Sequence, residues 1–180
     1  DPLWSRGLGD VYKRQIPTSP DFIVTQQAIQ LLGATFSSLN IAYRPGELAH
    51  VIASCELEFL VIHADYKDRV PPSALSGEGS LRSVILAGTS DEQPGYALLD
   101  VVCRTAAPVA YPEPLGPDDV AMLLNTSATT GKSKGVMLTA ANLAANYDAT
   151  PGWLGLDGSD VILCALPLYN TCLLYTSPSP

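Results

Sequence analysis

Apolar and polar positions alternate in blocks whose periods change along the chain, and the blocks predict a sequence of helices and buried strands. Ser19 and Pro20 form a helix-opening pair and Gly33 a helix-closing residue, with Val24, Ala28 and Leu31 on one face between them. Thr35 to Leu39 then reads as extended. Pro45 opens a second helix, in which Leu48, Val51, Ile52 and Cys55 fall at i, i+3, i+4 and i+7. That spacing is an amphipathic stripe facing a core. Phe59–His63, Ser83–Ala87, Val120–Leu124 and Asp160–Leu168 are short apolar runs without alternation. Strands of that kind suit a parallel sheet covered on both faces. Residues 108–117 carry four prolines and a glycine and read as a linker within the fold. Thr139 is placed to cap a helix that contains Asn142 to Ala149. Alternation of strands with helices predicts an α/β fold.

Between Val120–Leu124 and the extended run Val136–Leu138 lies NTSATTGKSKG, Asn125 to Gly135. Thr126, Ser127, Thr129 and Thr130 supply hydroxyls, and Gly131 and Gly135 let a backbone approach closely. From Ala121 to Tyr147 the only charged residues are Lys132 and Lys134, in a chain of formal net charge -8. Backbone N–H groups, hydroxyls and unpaired ammonium groups converging in one turn suit a polyphosphate. Turns rich in Ser, Thr and Gly also commonly do no more than connect strands. Gly131-Lys132-Ser133 fits the second half of a P-loop, but the first glycine of that motif would fall on Thr126. A P-loop also runs straight into a helix, whereas Gly135 to Leu138 reads as extended.

The run Thr126 to Gly135, then Val136-Met137-Leu138-Thr139 and Asn142-Leu143, resembles the signature loop of the adenylate-forming enzymes, the acyl-CoA synthetase and luciferase-like superfamily. Ala128 and Ser133 stand where that loop has glycine and proline. The resemblance extends upstream through Pro17–Phe22, Leu32-Gly33-Ala34, Leu39-Asn40 and Arg44–Leu48. Downstream it includes Leu166–Asn170, where Asn170 replaces a usual histidine. It implies a fragment of the layered α/β N-terminal domain of these enzymes, with a mostly parallel sheet and flanking helices.

It also implies a chemistry. A carboxylic acid attacks the α-phosphate of ATP, pyrophosphate leaves, and the acyl-adenylate passes to a thiol, usually coenzyme A. The family's ATP-phosphate contacts fall on Thr126, Ser127, Ala128, Thr129, Thr130, Gly131 and Lys134, with Lys132 at a variable position. Tyr169 and Asn170 are candidates for contact with the acyl substrate. Mg2+ is implied as the phosphates' partner, and a CoA or carrier thiol as acceptor. The family's adenine-binding glutamate motif, ribose-binding aspartate, magnesium-binding glutamate and catalytic lysine lie further downstream. The chain alone is therefore expected to be inactive. A P-loop nucleotide hydrolase and a non-catalytic α/β binding module are the competing readings. The first predicts a helix starting near Lys132.

Residues 1–15 and 172–180 resemble translated sequencing-adapter read-through and are set aside, leaving 16–171 as the partial adenylation domain. The acidic balance disfavours nucleic acid as a partner. No apolar run reaches the roughly 18 residues of a membrane span. No secretory signal is evident, and a cytoplasmic location is expected. Cys55, Cys103, Cys164 and Cys172 form no C-x-x-C pair and read as scattered buried thiols. His50 and His63 lack an evident metal-ligand spacing, and His63 reads as a strand-end residue.

Overall fold

A computed structural model describes residues 11–77, 79–108, 114–125 and 135–161. Its centre is a seven-stranded sheet, formed by β1 (Val11–Gln15), β2 (Thr35–Ser38), β3 (Phe59–His63), β4 (Ser83–Ala87), β5 (Ala97–Leu98), β6 (Val120–Asn125) and β7 (Gly135–Thr139). The strand order is β5-β4-β3-β1-β2-β6-β7. Every pairing is parallel except β6 with β7, which is antiparallel. The helices are α1 (Pro20–Leu31), α2 (Pro45–Ser54), α3 (Pro72–Leu75), α4 (Leu99–Thr105) and α5 (Ala140–Leu154), with a 3-10 helix over Ala64–Arg69.

Both faces of the sheet are covered, as the unbroken apolar strands predict. On β3, Leu60 and Ile62 join α2 residues Leu48, Val51 and Ile52 in one core, while Val61 joins Phe22 of α1 in another. β4 divides in the same way, Val84 and Leu86 to the first core and Ala87 to the second. A third cluster holds Ile29, Phe36, Ala121, Met122, Leu124 and Leu143, between α1, α5 and the β2–β6 part of the sheet. Along β6 the alternation slips: Ala121 and Met122 belong to the same cluster. The register shift between Val120 and Met122 is the cause, since a bulge places two successive residues against one on the partner strand.

Local signals explain the helix ends. Gly33 has φ +67°. Its N–H donates to Gln30 O (3.0 Å), and that of Ala34 to Ile29 O (3.2 Å). Together these form the paired closing bonds of a Schellman motif, which needs a left-handed residue. α2 starts with Pro45 in its first turn, and Arg44 N–H donates to the Glu47 carboxylate at 2.8 Å. At α5 the bonds are reciprocal: Asn142 N–H to Thr139 Oγ1 (3.3 Å) and Thr139 N–H to Asn142 Oδ1 (3.1 Å). The α2 stripe is buried at Leu48, Val51 and Ile52, with Cys55 half-buried.

Several expectations differ from what forms. Ser19 occupies the N-cap position of α1, but its hydroxyl makes no capping bond. The buried face of α1 is Phe22, Thr25 and Ile29; Val24, Ala28 and Leu31 are exposed. Apolar residues lie all round this helix, so periodicity does not select a face, and docking onto β2 does. Cys103 is exposed on α4, not buried. The strand expected over Asp160–Leu168 lies outside the described residues from 162 onward; Asp160 itself closes a turn, its N–H bonded to Asp157 O at 3.1 Å. Val11–Gln15, within the stretch set aside on sequence grounds, forms β1 with a neighbour on each side.

Candidate functional site

The carboxyl ends of the parallel strands line one edge of the sheet: Gln15 on β1, Ser38 on β2, His63 on β3, Ala87 on β4 and Asn125 on β6. In open α/β sheets this edge carries the ligand crevice, at the point where strand order reverses. Here the chain runs from β1 outward to β2, returns across β1 to β3, and continues outward to β4 and β5. The reversal lies between β1 and β3. β6 and β7 are appended beyond β2 as an antiparallel pair.

That pair fixes both ends of residues 126–134. Asn125 is in register with Gly135, and Leu124 with Val136. The residues that flank the segment, Asn125 and Gly135, therefore sit at the carboxyl edge, and the four central residues of β6, Ala121 to Leu124, are buried. β2 holds β6 through side chains as well as backbone. Thr35 Oγ1 donates to Val120 O at 2.6 Å, and Asn125 Nδ2 donates to Ser37 Oγ at 3.3 Å. Ser37 is fully buried and Thr35 nearly so. In the same region the Gln15 amide donates to Asn40 O at 2.9 Å.

At the β3–β4 end of the edge, His63 Nδ1 stands 3.3 Å from Asp65 N and caps the 3-10 helix. The other side of its ring fills the space in front of Gly88, which has φ +75°. An open cavity of about 320 Å³ lies beside it, lined by Asp21, Gly88, Thr89, Ser90, Leu99 and Asp100. Two carboxylates make it an unfavourable place for a polyphosphate. Among the described residues no group of three or more His, Cys, Asp or Glu could hold a metal ion.

The chain matches the profile of the family described as AMP-binding enzyme over residues 9–177. It belongs to that family. The matched span includes β1 and runs on through the hairpin and α5. A 4-coumarate–CoA ligase from Humulus lupulus is 30% identical over 168 residues, covering 90% of this chain and 30% of the relative. A long-chain-fatty-acid–CoA ligase of known structure from Archaeoglobus fulgidus is 29% identical with a TM-score of 0.76, covering 89% of this chain and 31% of that one. MatB from Rhodopseudomonas palustris, solved with ATP bound, is 29% identical with a TM-score of 0.77, covering 96% of this chain and 33% of that one. The chain thus spans about 30% of the length of these relatives. The layered α/β fold with a mostly parallel sheet is the one they share.

For this AMP-binding family member, the sequence-predicted phosphate contacts Thr126, Ser127, Ala128, Thr129, Thr130, Gly131 and Lys134, with Lys132, lie outside the described residues. So do Tyr169 and Asn170. What the described residues decide is the frame around the loop. β7 begins at Gly135, three residues after Lys132, and runs back antiparallel to β6. A P-loop requires a helix there, so that competing geometry is not the one adopted. Pattern reading missed Thr35 and Ser37. Their one available signal was hydroxyls within Thr35-Phe36-Ser37-Ser38, at positions where an interior strand usually carries aliphatic side chains. No described helix is long and apolar enough to cross a membrane.

Proposed function

We propose that the chain is part of an ATP-dependent carboxylic acid ligase that forms an acyl-adenylate, releases pyrophosphate and passes the acyl group to a thiol, coenzyme A or a carrier. Membership of the AMP-binding family carries this reading. It is supported by relatives named as CoA ligases and by a structural neighbour solved with ATP. A carboxylate oxygen of the acid bonds to the α-phosphorus of ATP as the bond to the pyrophosphate oxygen breaks. The thiol sulfur then bonds to the acyl carbon, and AMP leaves.

Residues 126–134 are the segment assigned to the departing pyrophosphate. Charge grows on that group in the transition state, and fixed hydroxyls, N–H groups and the Lys134 ammonium stabilise it without reorganising. The hairpin supports this assignment, because the flanking residues Asn125 and Gly135 are paired at the sheet's carboxyl edge. Lys134 directly precedes Gly135, the first paired residue of β7, in the chain. Mg2+ is expected to accompany the nucleotide phosphates; the described residues offer it no carboxylate cluster. The acid is a small carboxylate. The thiol acceptor follows the relatives' names. Residues 16–171 are proposed as the adenylation-domain part of the chain, with β1 (Val11–Gln15) completing its sheet.

The test is acid-dependent exchange of labelled pyrophosphate into ATP by the product of the complete gene. Exchange with at least one member of a broad acid panel is expected; none with any of them would refute the ligase reading. Lys134→Ala should slow adenylation by about two to three orders of magnitude, roughly 3–4 kcal/mol for one well-placed donor, with little change in thermal stability. An unchanged rate would remove Lys134 from the phosphate site.

A further inference from the structure

α1 buries one face and turns an equally apolar one to solvent. Phe22, Thr25 and Ile29 are buried, while Ile23, Val24, Gln27, Ala28 and Leu31 are exposed. At about 100° per residue the exposed set is centred directly opposite the buried one. Val24 is 56% exposed and Leu31 53%. The outward face thus carries aliphatic side chains and one amide, and the helix's only charged residue is Asp21 in its first turn. A helix that is apolar on every side belongs in an interior.

α5 repeats the pattern on the same side of the sheet, since Ile29 of α1 and Leu143 of α5 share one buried cluster. Of the 15 residues of α5, Leu143 is the one that is buried. Tyr147, Trp153 and Leu154 are exposed, Trp153 by 63%. The only charged side chain of this helix is Asp148. A helix of such length is marginal in water without tertiary packing, and Pro151 and Gly152 weaken its last turn further. α2, on the other side of the sheet, is different. It buries Leu48, Val51 and Ile52 and turns Glu47, His50 and Ser54 outward, as a surface helix does. The charge-poor outer face is therefore particular to the α1–α5 side.

We propose that this face is an interior interface of the complete gene product, covered by an apolar layer of the same polypeptide that lies outside the present chain. Contiguous exposed apolar surface of this kind marks an interaction site. The chain spans about 30% of the length of the relatives it matches, so most of the parent polypeptide is available to cover it. That polypeptide is tethered to the face and meets it at a high effective concentration, an advantage a second copy lacks. The covering surface must be aliphatic and aromatic, because a charge placed against Val24 or Leu31 would be buried without a partner. A lipid surface fits poorly: neither helix has a lysine or arginine to meet headgroups. The proposal rests on family membership and relative length, and it stands or falls independently of pyrophosphate exchange.

The experiment places single cysteines in the complete gene product, as Val24→Cys, Gln27→Cys and Leu31→Cys on α1 and Trp153→Cys on α5. Labelling by a charged maleimide is followed site by site with mass spectrometry, in the native protein and in the same protein unfolded in urea. Each site should react at least about tenfold more slowly in the native protein, because labelling then requires local opening. The protection should be independent of protein concentration and of added phosphatidylcholine–phosphatidylglycerol vesicles. Native rates close to the unfolded ones overturn the proposal. So does protection that appears only as protein concentration rises, which assigns the face to a second copy, or only with vesicles, which assigns it to lipid. Should Leu31→Cys or Trp153→Cys fail to fold, Gln27→Cys, which removes no apolar side chain, carries the same expectation alone.

Discussion

Replacing Gly88 with alanine sets a backbone requirement and a side-chain clash against each other at one position. Gly88 has φ +75°, a conformation that costs an L residue about 1–2 kcal/mol. A Cβ there would also lie 2.1 Å from His63 Nε2 and 2.6 Å from Cδ2. The ring cannot swing away freely, because its Nδ1 accepts from Asp65 N at 3.3 Å and so caps the following 3-10 helix. Forcing extra volume into such a contact typically costs about 1–3 kcal/mol. The total expected is about 2–5 kcal/mol. For a chain of this size each kcal/mol moves the melting temperature by about 2–4 °C. Urea unfolding of the 180-residue chain, followed by far-UV circular dichroism, measures the loss. Repeating it in a His63→Ala background isolates the clash: there Gly88→Ala should cost only the backbone share, about 1–2 kcal/mol. A Gly88→Ala effect within about 0.5 kcal/mol of zero would refute the strand-end geometry. An equal cost with and without the imidazole would refute the contact.

Thr139→Ala removes the acceptor for Asn142 N–H and should cost about 1 kcal/mol, with Thr139→Ser close to neutral. Since Leu143 is the buried residue of α5, the loss should show first as faster hydrogen exchange along that helix, and unchanged exchange would count against the cap. Burial, and next the nearby negative Asp68, hold the Tyr96 phenol above its usual pKa. The folded state thus favours the protonated ring. That contribution is complete below the usual phenol value and is lost as pH rises through the raised one. Stability measured upward from pH 9 should therefore fall less steeply in Tyr96→Phe; an identical decline would remove Tyr96 as the cause.

The elements that were legible in the sequence are those whose signal is local. The α2 stripe, the Schellman glycine at 33, the Thr139 cap and the apolar runs of β3, β4 and β6 each follow from a few neighbouring residues, and each forms where the pattern puts it. The loop between β6 and β7 was legible as a strand-to-strand connection because Gly135–Leu138 has an extended character that a P-loop helix would lack. Where periodicity was ambiguous, distant packing decided. α1 is apolar on several sides, so its buried face of Phe22, Thr25 and Ile29 was set by the sheet beneath it. β1 has the sequence VYKRQ, neither alternating nor continuously apolar; its strand exists through pairing with β2 on one side and β3 on the other.

Sequence alone determined the class of fold and the alternation of its elements, because residue type, spacing and capping are properties of short stretches. Only the tertiary structure decided the strand order, the reversal between β1 and β3, and the side-chain hydrogen bonds that join β2 to β6. Thr35 and Val120, like Ser37 and Asn125, are more than eighty residues apart in the chain. No local pattern specifies which distant strand a buried hydroxyl will meet; the contact arises when hydrophobic burial of both sheet faces brings β2 and β6 side by side.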